Sequence, residues 1–317
     1  MSAHDLDTLV HRLRTAGCVF AEDEAVLLLA AASDPAHLET LVAQRVAGSP
    51  LEHLLGWAEF RGLRVVVGPH VFVPRQRTAF LVEQAVALTL DLVERRTRET
   101  AAEPSQLTER DWAAMQRKMS RGAAPIHSDD DTLPTLCRFE EATYANPVVV
   151  DMCCGSGALG LSLAVDLAAH GVRAELTATD IEPHAVEYAR RNLATHDFPV
   201  YRGDLFEPLP ADLAGRVDIL LANTPYVPSA EIATMPPEAR DHEPRVTLDG
   251  GPDGLDLLRR IAAAAPHWLA PGGHLLVEES DAQADPAAAI MRAAGLSARV
   301  AEDEERGATV VIGTRPD

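Results

Sequence analysis

From Asn146 onward the chain alternates apolar runs with amphipathic stretches, and this alternation constrains the fold more than any other feature. The apolar runs are Val148–Met152, Ala174–Thr179, Ile219–Ala222, His274–Val277 and Thr309–Ile312. Residues 158–170, 183–195, 254–269 and 284–294 carry helical spacing. Strands alternating with helices predict an α/β architecture: a mainly parallel sheet covered on both faces, in the doubly wound arrangement. Ligands of such sheets sit beyond the carboxyl ends of the strands, near the point where strand order reverses. Candidate site residues are therefore sought directly after each strand.

The first third reads differently. Leu6, Leu9, Val10 and Leu13, then Val26, Leu27, Leu29 and Ala30, recur at three- and four-residue spacing, which predicts short amphipathic helices up to about Leu55. Ser33-Asp34-Pro35 is a break followed by a new helix start. Two β-branched or aromatic runs, Leu63–Val67 and Val71–Val73, flank Gly68-Pro69-His70 and predict a hairpin centred there. A helix is expected from Thr78 to about Val93. Residues 94–146 are charged, hold Ser105, Thr108, Asp129–Asp131 and scattered prolines, and read as a partly ordered insertion with a possible helix at Glu109–Met119. The expected division is a helical domain over 1–57, a β-hairpin connector over 58–77 and an α/β domain over 78–317.

The net charge of −20 repels phosphate backbones and argues against a nucleic-acid partner. One stretch reverses that balance: in 58–80, Arg61, Arg64, Arg75 and Arg77 face only Glu59, an island that either meets an acidic partner or is a solvated face. The start, MSAHDLDTLVHRLRTAG, has no long apolar segment, and no run reaches the ~18 apolar residues of a membrane span. Cys18, Cys137, Cys153 and Cys154 lack metal-ligand spacing, and the 12 histidines are scattered. Reduced thiols, a cytoplasmic setting, no membrane and no metal are the expectations.

Four sites at successive strand ends carry the chemistry. In Asp151-Met152-Cys153-Cys154-Gly155-Ser156-Gly157 a buried strand enters a turn that opens a helix; Gly155 and Gly157 allow close backbone approach to a ligand beside free helical N–H groups. Alone, such a turn also serves tight strand-to-helix packing. Asp180, 23 residues beyond Gly157, ends the next strand where a carboxylate can accept from both ribose hydroxyls, though a lone Asp also caps a helix. In Gly203-Asp204-Leu205-Phe206, Asp204 can accept an adenine amine and Leu205 can pack on its ring. Together the three sites predict a nucleoside ligand. The fourth is Asn223-Thr224-Pro225-Tyr226 after Ile219–Ala222. A strand ending in Asn, Pro and an aromatic residue resembles the Asn-Pro-Pro-Tyr signature of methyltransferases acting on planar nitrogen. The Asn oxygen and a neighbouring backbone carbonyl would hold both amide hydrogens and aim lone-pair density at a sulfonium methyl, with Tyr226 as a flat wall.

Beyond these motifs, the chain resembles the HemK/PrmC-type protein-(glutamine-N5) methyltransferases almost throughout, apart from about 94–146. The matching segments include Pro50–Gly56, Glu59–Leu63, Val73-Pro74-Arg75, Glu243-Pro244-Arg245, Leu248–Gly254 and Leu269–Gly273. The resemblance implies a Rossmann-like class I domain that uses S-adenosylmethionine (SAM) and releases S-adenosylhomocysteine. It implies that residues 153–157, Asp180 and Leu205 hold SAM and that Asn223–Tyr226 hold the glutamine of the Gly-Gly-Gln motif of a peptide-chain release factor. With Asp151, Asp204 and Asn223 these are the expected cofactor contacts. The chain departs from the family at Thr224, where Pro is usual, at Gln76-Arg77-Thr78-Ala79, where Pro-Glu-Thr-Glu is usual, and in the insertion. The Cys153-Cys154-Gly155-Ser156-Gly157 turn and Arg77 resemble an actinobacterial-type branch. An N-methyltransferase for a small amine or amide, and a SAM-binding module without catalysis, remain alternatives at this point, and the sequence leaves oligomeric state open.

Overall fold

The computed structural model describes residues 3–102 and 146–317. They fall into two compact units, one formed by residues up to 89 together with 147–317, the other by 90–146. In the second, the described part is the end of one helix and Asn146; the expected helix at Glu109–Met119 lies outside the described residues.

The first unit begins with four helices, α1 (Ala3–Thr15), α2 (Ala21–Ala31), α3 (Pro35–Val46) and α4 (Leu51–Leu55). Asp34 caps α3 by accepting from the His37 amide at 2.8 Å, and Pro35 occupies the first turn, where its missing N–H costs nothing. Leu9, Leu13, Ala25, Leu28, Leu41 and Val42 close a small core. Inside it the buried Arg45 donates to Glu24 at 2.6 Å and also reaches Glu238. α4 stops at Gly56, whose φ of 80° lies in the left-handed region.

The hairpin forms earlier than expected. β1 (Trp57–Phe60) pairs with β2 (Leu63–Val66) around Arg61 (φ 50°) and Gly62 (φ 77°), both left-handed as a two-residue type I′ loop requires. Arg61 is held in this unfavourable conformation by ion pairs to Glu83 and Asp166. Gly68-Pro69-His70 is a turn with His70 in the left-handed region (φ 69°), and Val67, Val71 and Val73 are buried without forming strands. A short 3₁₀ turn, Gln76–Thr78, leads into α5 (Ala79–Ala102), which runs past the expected Val93.

The α/β part contains β3 (Val148–Met152), α6 (Ala158–Ala169), β4 (Glu175–Asp180), α7 (Pro183–Leu193), β5 (Val200–Arg202), β6 (Val217–Ala222), α8 (Pro237–His242), α9 (Asp256–Trp268), β7 (Leu269–Glu279), α10 (Asp281–Ala293), β8 (Ser297–Asp303) and β9 (Ala308–Thr314). Sheet order is β5-β4-β3-β6-β7-β9-β8. The first five strands are parallel; β9 is antiparallel to both β7 and β8. All residues of β3 and β6 are buried, as expected of strands covered on both faces. Leu258, Ile261 and Ala265 of α9 and Ala287 and Met291 of α10 pack on that sheet. β3 lies between β4 and β6, so chain progression reverses there and leaves a crevice beyond the strand ends.

Among the described residues no helix is long and apolar enough to cross a membrane, and no cluster of three or more His, Cys, Asp or Glu is placed to hold a metal.

Candidate functional site

A cavity of about 820 Å³ opens at these strand ends. It is lined by Asp151, Cys153, Cys154, Gly155, Ser156, Asp180, Asp204, Leu205, Asn223, Thr224, Pro225 and Tyr226, so thirteen expected site positions, with one exception, meet on one surface. The exception is Gly157. It caps α6 with φ of 77°, and a β-carbon there would press against Leu193 and Ala189, so its smallness serves the packing of α6 on α7.

The glycine turn is stitched to the next two strands. Asp180 accepts from the Gly155 amide at 2.8 Å through one oxygen and from the Glu182 amide at 2.9 Å through the other. The Gly203 amide donates to the Asp180 carbonyl at 3.0 Å, and the Cys154 amide to that of Thr179 at 3.0 Å. Burial pushes the Asp180 carboxyl upward, while the Glu182 and Gly155 amides pull it back. Asp151 is 1% exposed and accepts from the Gly160 amide at 2.9 Å; burial pushes it up to about 7. It braces the start of α6 as well as facing the cavity. Burial also raises the Cys153 and Cys154 thiols, which suits small packing residues better than nucleophiles.

Cys153 (φ 56°) and Leu205 (φ 50°) are non-glycine residues in the left-handed region, and both line the cavity. Each such residue costs roughly 1–3 kcal/mol, a strain that concentrates at functional sites. Asp204 differs from expectation in one respect: Arg260 of α9 already donates to its carboxylate at 2.7 Å. Part of its acceptor capacity is therefore already taken within the chain.

Asn223–Tyr226 leaves β6 as a loop whose backbone is gripped from two sides. The Val227 amide donates to the Leu248 carbonyl at 3.0 Å, and the Gly250 amide to that of Val227 at 2.9 Å. Gln283 donates to the Tyr226 carbonyl at 2.8 Å and to that of Asp253 at 3.0 Å. A β-carbon on Gly254 would lie 2.1 Å from the Tyr226 carbonyl oxygen, and one on Gly250 would lie 2.7 Å from that of Pro225. The Leu248–Gly254 segment thus fixes the loop by close backbone approach, which only glycine permits at those two places.

Sequence reasoning named Arg75 and Arg77 but missed the partners they find around this loop. Arg77 donates to Glu278 at 2.9 Å and to the Tyr226 hydroxyl; Arg75 donates to the buried Glu243. Arg61 is paired as described, and Arg64 lies 4.2 Å from the Trp57 ring centroid. Each arginine of the basic island therefore has a partner within the chain, while Arg64 and Arg77 stay exposed. Burial raises the Tyr226 phenol, with Glu278 adding to the effect and Arg77 opposing it. Glu279 is pushed up to about 8 by burial and by Glu278, and both its oxygens are without hydrogen-bond partners.

A family profile described as a methyltransferase domain matches residues 145–312. With the seven-stranded sheet and the glycine turn at its switch point, it defines a class I SAM-dependent methyltransferase. The chain is 32% identical over 277 residues to a release factor glutamine methyltransferase of Geobacter sulfurreducens, covering 87% of this chain and 76% of that one. It is 35% identical over 282 residues to one from Mycolicibacterium smegmatis, covering 89% and 75%, and 33% identical over 245 residues to one from Streptomyces coelicolor, covering 77% and 67%. The chain belongs to the release factor glutamine methyltransferase family.

Proposed function

We propose that this enzyme methylates the side-chain nitrogen of the Gly-Gly-Gln glutamine in a peptide-chain release factor, with Asn223–Tyr226 as the acceptor site. The observation that carries this reading is the convergence of that loop and the glycine turn on one cavity. The lining fits a nucleoside cofactor: Asp180 retains lone pairs beyond the two taken by backbone amides, and Ile181 beside it is 50% exposed at the cavity wall. Asp180 is assigned to the ribose hydroxyls, Asp204 and Leu205 to the adenine, and the backbone of Cys153–Ser156, with Asp151 and Asn223, to the remainder of SAM. Gly157 contributes through helix packing. SAM, when bound, supplies a methyl group on a sulfonium.

An amide nitrogen shares its lone pair with its carbonyl and is a weak nucleophile. Asn223 Oδ1 accepts one N–H and the Thr224 carbonyl the other, which turns the remaining electron density toward the methyl and stabilises the positive charge that builds on nitrogen. Pro225 makes this backbone stiff. Tyr226 presents a flat face to the planar group, and cavities of about 300–1,000 Å³ suit a buried small ligand.

The helices α1–α4 are assigned to docking the protein substrate. Val19 and Phe20, before α2, are exposed apolar residues, and Arg45 ties these helices to Glu238 of α8 beside the acceptor loops. The test is fragment mass spectrometry of release factor incubated with enzyme and SAM. A methyl group on the Gly-Gly-Gln glutamine nitrogen is expected; modification elsewhere on the factor, or none, contradicts the assignment.

A further inference from the structure

We propose that Arg77 is a positioning residue for the methyl acceptor: by joining the Tyr226 hydroxyl to Glu278 it fixes the ring that walls the acceptor end of the cavity. The inference rests on the assignment of Asn223–Tyr226 to the acceptor.

Arg77 sits in the 3₁₀ turn before α5 and lines the cavity together with Tyr226. Its Nε donates to Glu278 Oε1 at 2.9 Å, and a terminal nitrogen donates to Tyr226 Oη. A guanidinium is planar and carries donors on more than one edge, so a single side chain can serve both partners, which an ammonium does less well. Glu278, the penultimate residue of β7, has a side chain 2% exposed, and its second oxygen is without a partner. A carboxylate so buried demands a cation, and that demand holds Arg77 in place.

The consequence falls on Tyr226. Its backbone carbonyl is gripped by Gln283 at 2.8 Å, and its hydroxyl is gripped by Arg77. Both ends of the residue are fixed, from two different parts of the chain, before any acceptor arrives. Of the neighbouring arginines, Arg61 pairs with Glu83 and Asp166, and Arg75 with Glu243. Arg77 is the one whose side chain reaches the acceptor loop itself. It also stands in the Gln76–Ala79 stretch, where the sequence departs from the pattern of the family it resembles.

The test compares wild type, Arg77→Met, Arg77→Lys, Tyr226→Phe and the Arg77→Met/Tyr226→Phe double variant. It measures kcat and KM with release factor, SAM affinity by calorimetry, and Tyr226 ionisation by NMR of ¹³Cζ-labelled tyrosine. Each of Arg77→Met and Tyr226→Phe is expected to lower kcat about tenfold, a misplacement effect, with SAM affinity unchanged. The double variant is expected to lose no more than the worse single one, because both remove the same contact. Arg77→Lys restores part of the loss, and Arg77→Met raises the Tyr226 titration by removing a cation. Multiplying losses, or an unmoved Tyr226 titration, overturn the proposal. If Arg77→Met fails to fold because Glu278 is left unpaired, Tyr226→Phe preserves that ion pair and its kcat decides. If wild type transfers nothing to release factor, the acceptor assignment fails, while the tyrosine titration still decides whether Arg77 holds Tyr226.

Discussion

Asp180 accepts the Gly155 amide at 2.8 Å, so the residue that ends β4 also sets the shape of the turn that follows β3. A carboxylate assigned to cofactor ribose thereby doubles as the clamp on the cofactor's glycine turn. Asp180→Ala removes both roles, and SAM affinity measured by calorimetry is expected to weaken by ~1–3 kcal/mol, the loss of charged hydrogen bonds. Unchanged affinity would exclude Asp180 from the binding site.

Asn223→Ala separates binding from transfer. Asn223 is half-buried on the cavity wall, and its main assigned task, beside its contact to SAM, is holding the acceptor nitrogen. Transfer is expected to fall by about 10²-fold or more, with SAM affinity nearly intact. Activity within a few-fold of wild type would defeat the proposed mechanism.

Thr224 is 3% exposed and precedes Pro225. Proline at this position keeps the carbonyl that the mechanism uses and stiffens the loop. Thr224→Pro is expected to retain transfer to glutamine in a labelled-methyl assay; complete loss would point to an acceptor of different shape.

Glu279 gives the enzyme an alkaline liability. Its carboxyl keeps a proton in the folded state up to about pH 8, whereas the unfolded chain releases it near pH ~4.3. Between those limits the native state binds the extra proton, so this residue's contribution to stability falls as pH rises through the window. Glu279→Gln, which has no proton to lose, is expected to stabilise the protein by on the order of 2 kcal/mol at about pH 9 and to change little at about pH 5. Thermal melts at the two pH values measure this; an equal shift at both would show that Glu279 does not titrate as stated.

The catalytic sheet was legible where strands are covered on both faces. β3 and β6 are buried at every position and therefore appear as unbroken apolar runs. β8 escaped because it is an edge strand with alternating exposure, and Ser297–Asp303 has no apolar run to see. β7 was read too short: Pro271-Gly272-Gly273 looks like a break, yet the Gly272 amide and the Gly273 carbonyl both pair with Arg315 at 3.0 and 2.9 Å. The hairpin was misplaced because Arg61-Gly62 lacks the usual Asn or Asp, and its arginine is stabilised by distant carboxylates.

The site divides along the same line. Residues such as Gly155, Asp180 and Asn223 follow strands directly and could be found locally. Their restraints could not: Asp204 meets Arg260 across 56 positions, Arg75 meets Glu243 across 168, and Arg77 meets Glu278 across 201. Only the folded topology brings those charges together, so in sequence Arg75 and Arg77 stood out only as part of a basic island.

The most direct test of the central claim is transfer of labelled methyl from SAM to purified release factor, run beside the same factor carrying Gln→Ala in its Gly-Gly-Gln motif. Label on the unaltered factor alone is the predicted result. Equal labelling of both, or no labelling by enzyme that binds SAM, would contradict glutamine methylation as the function of this site.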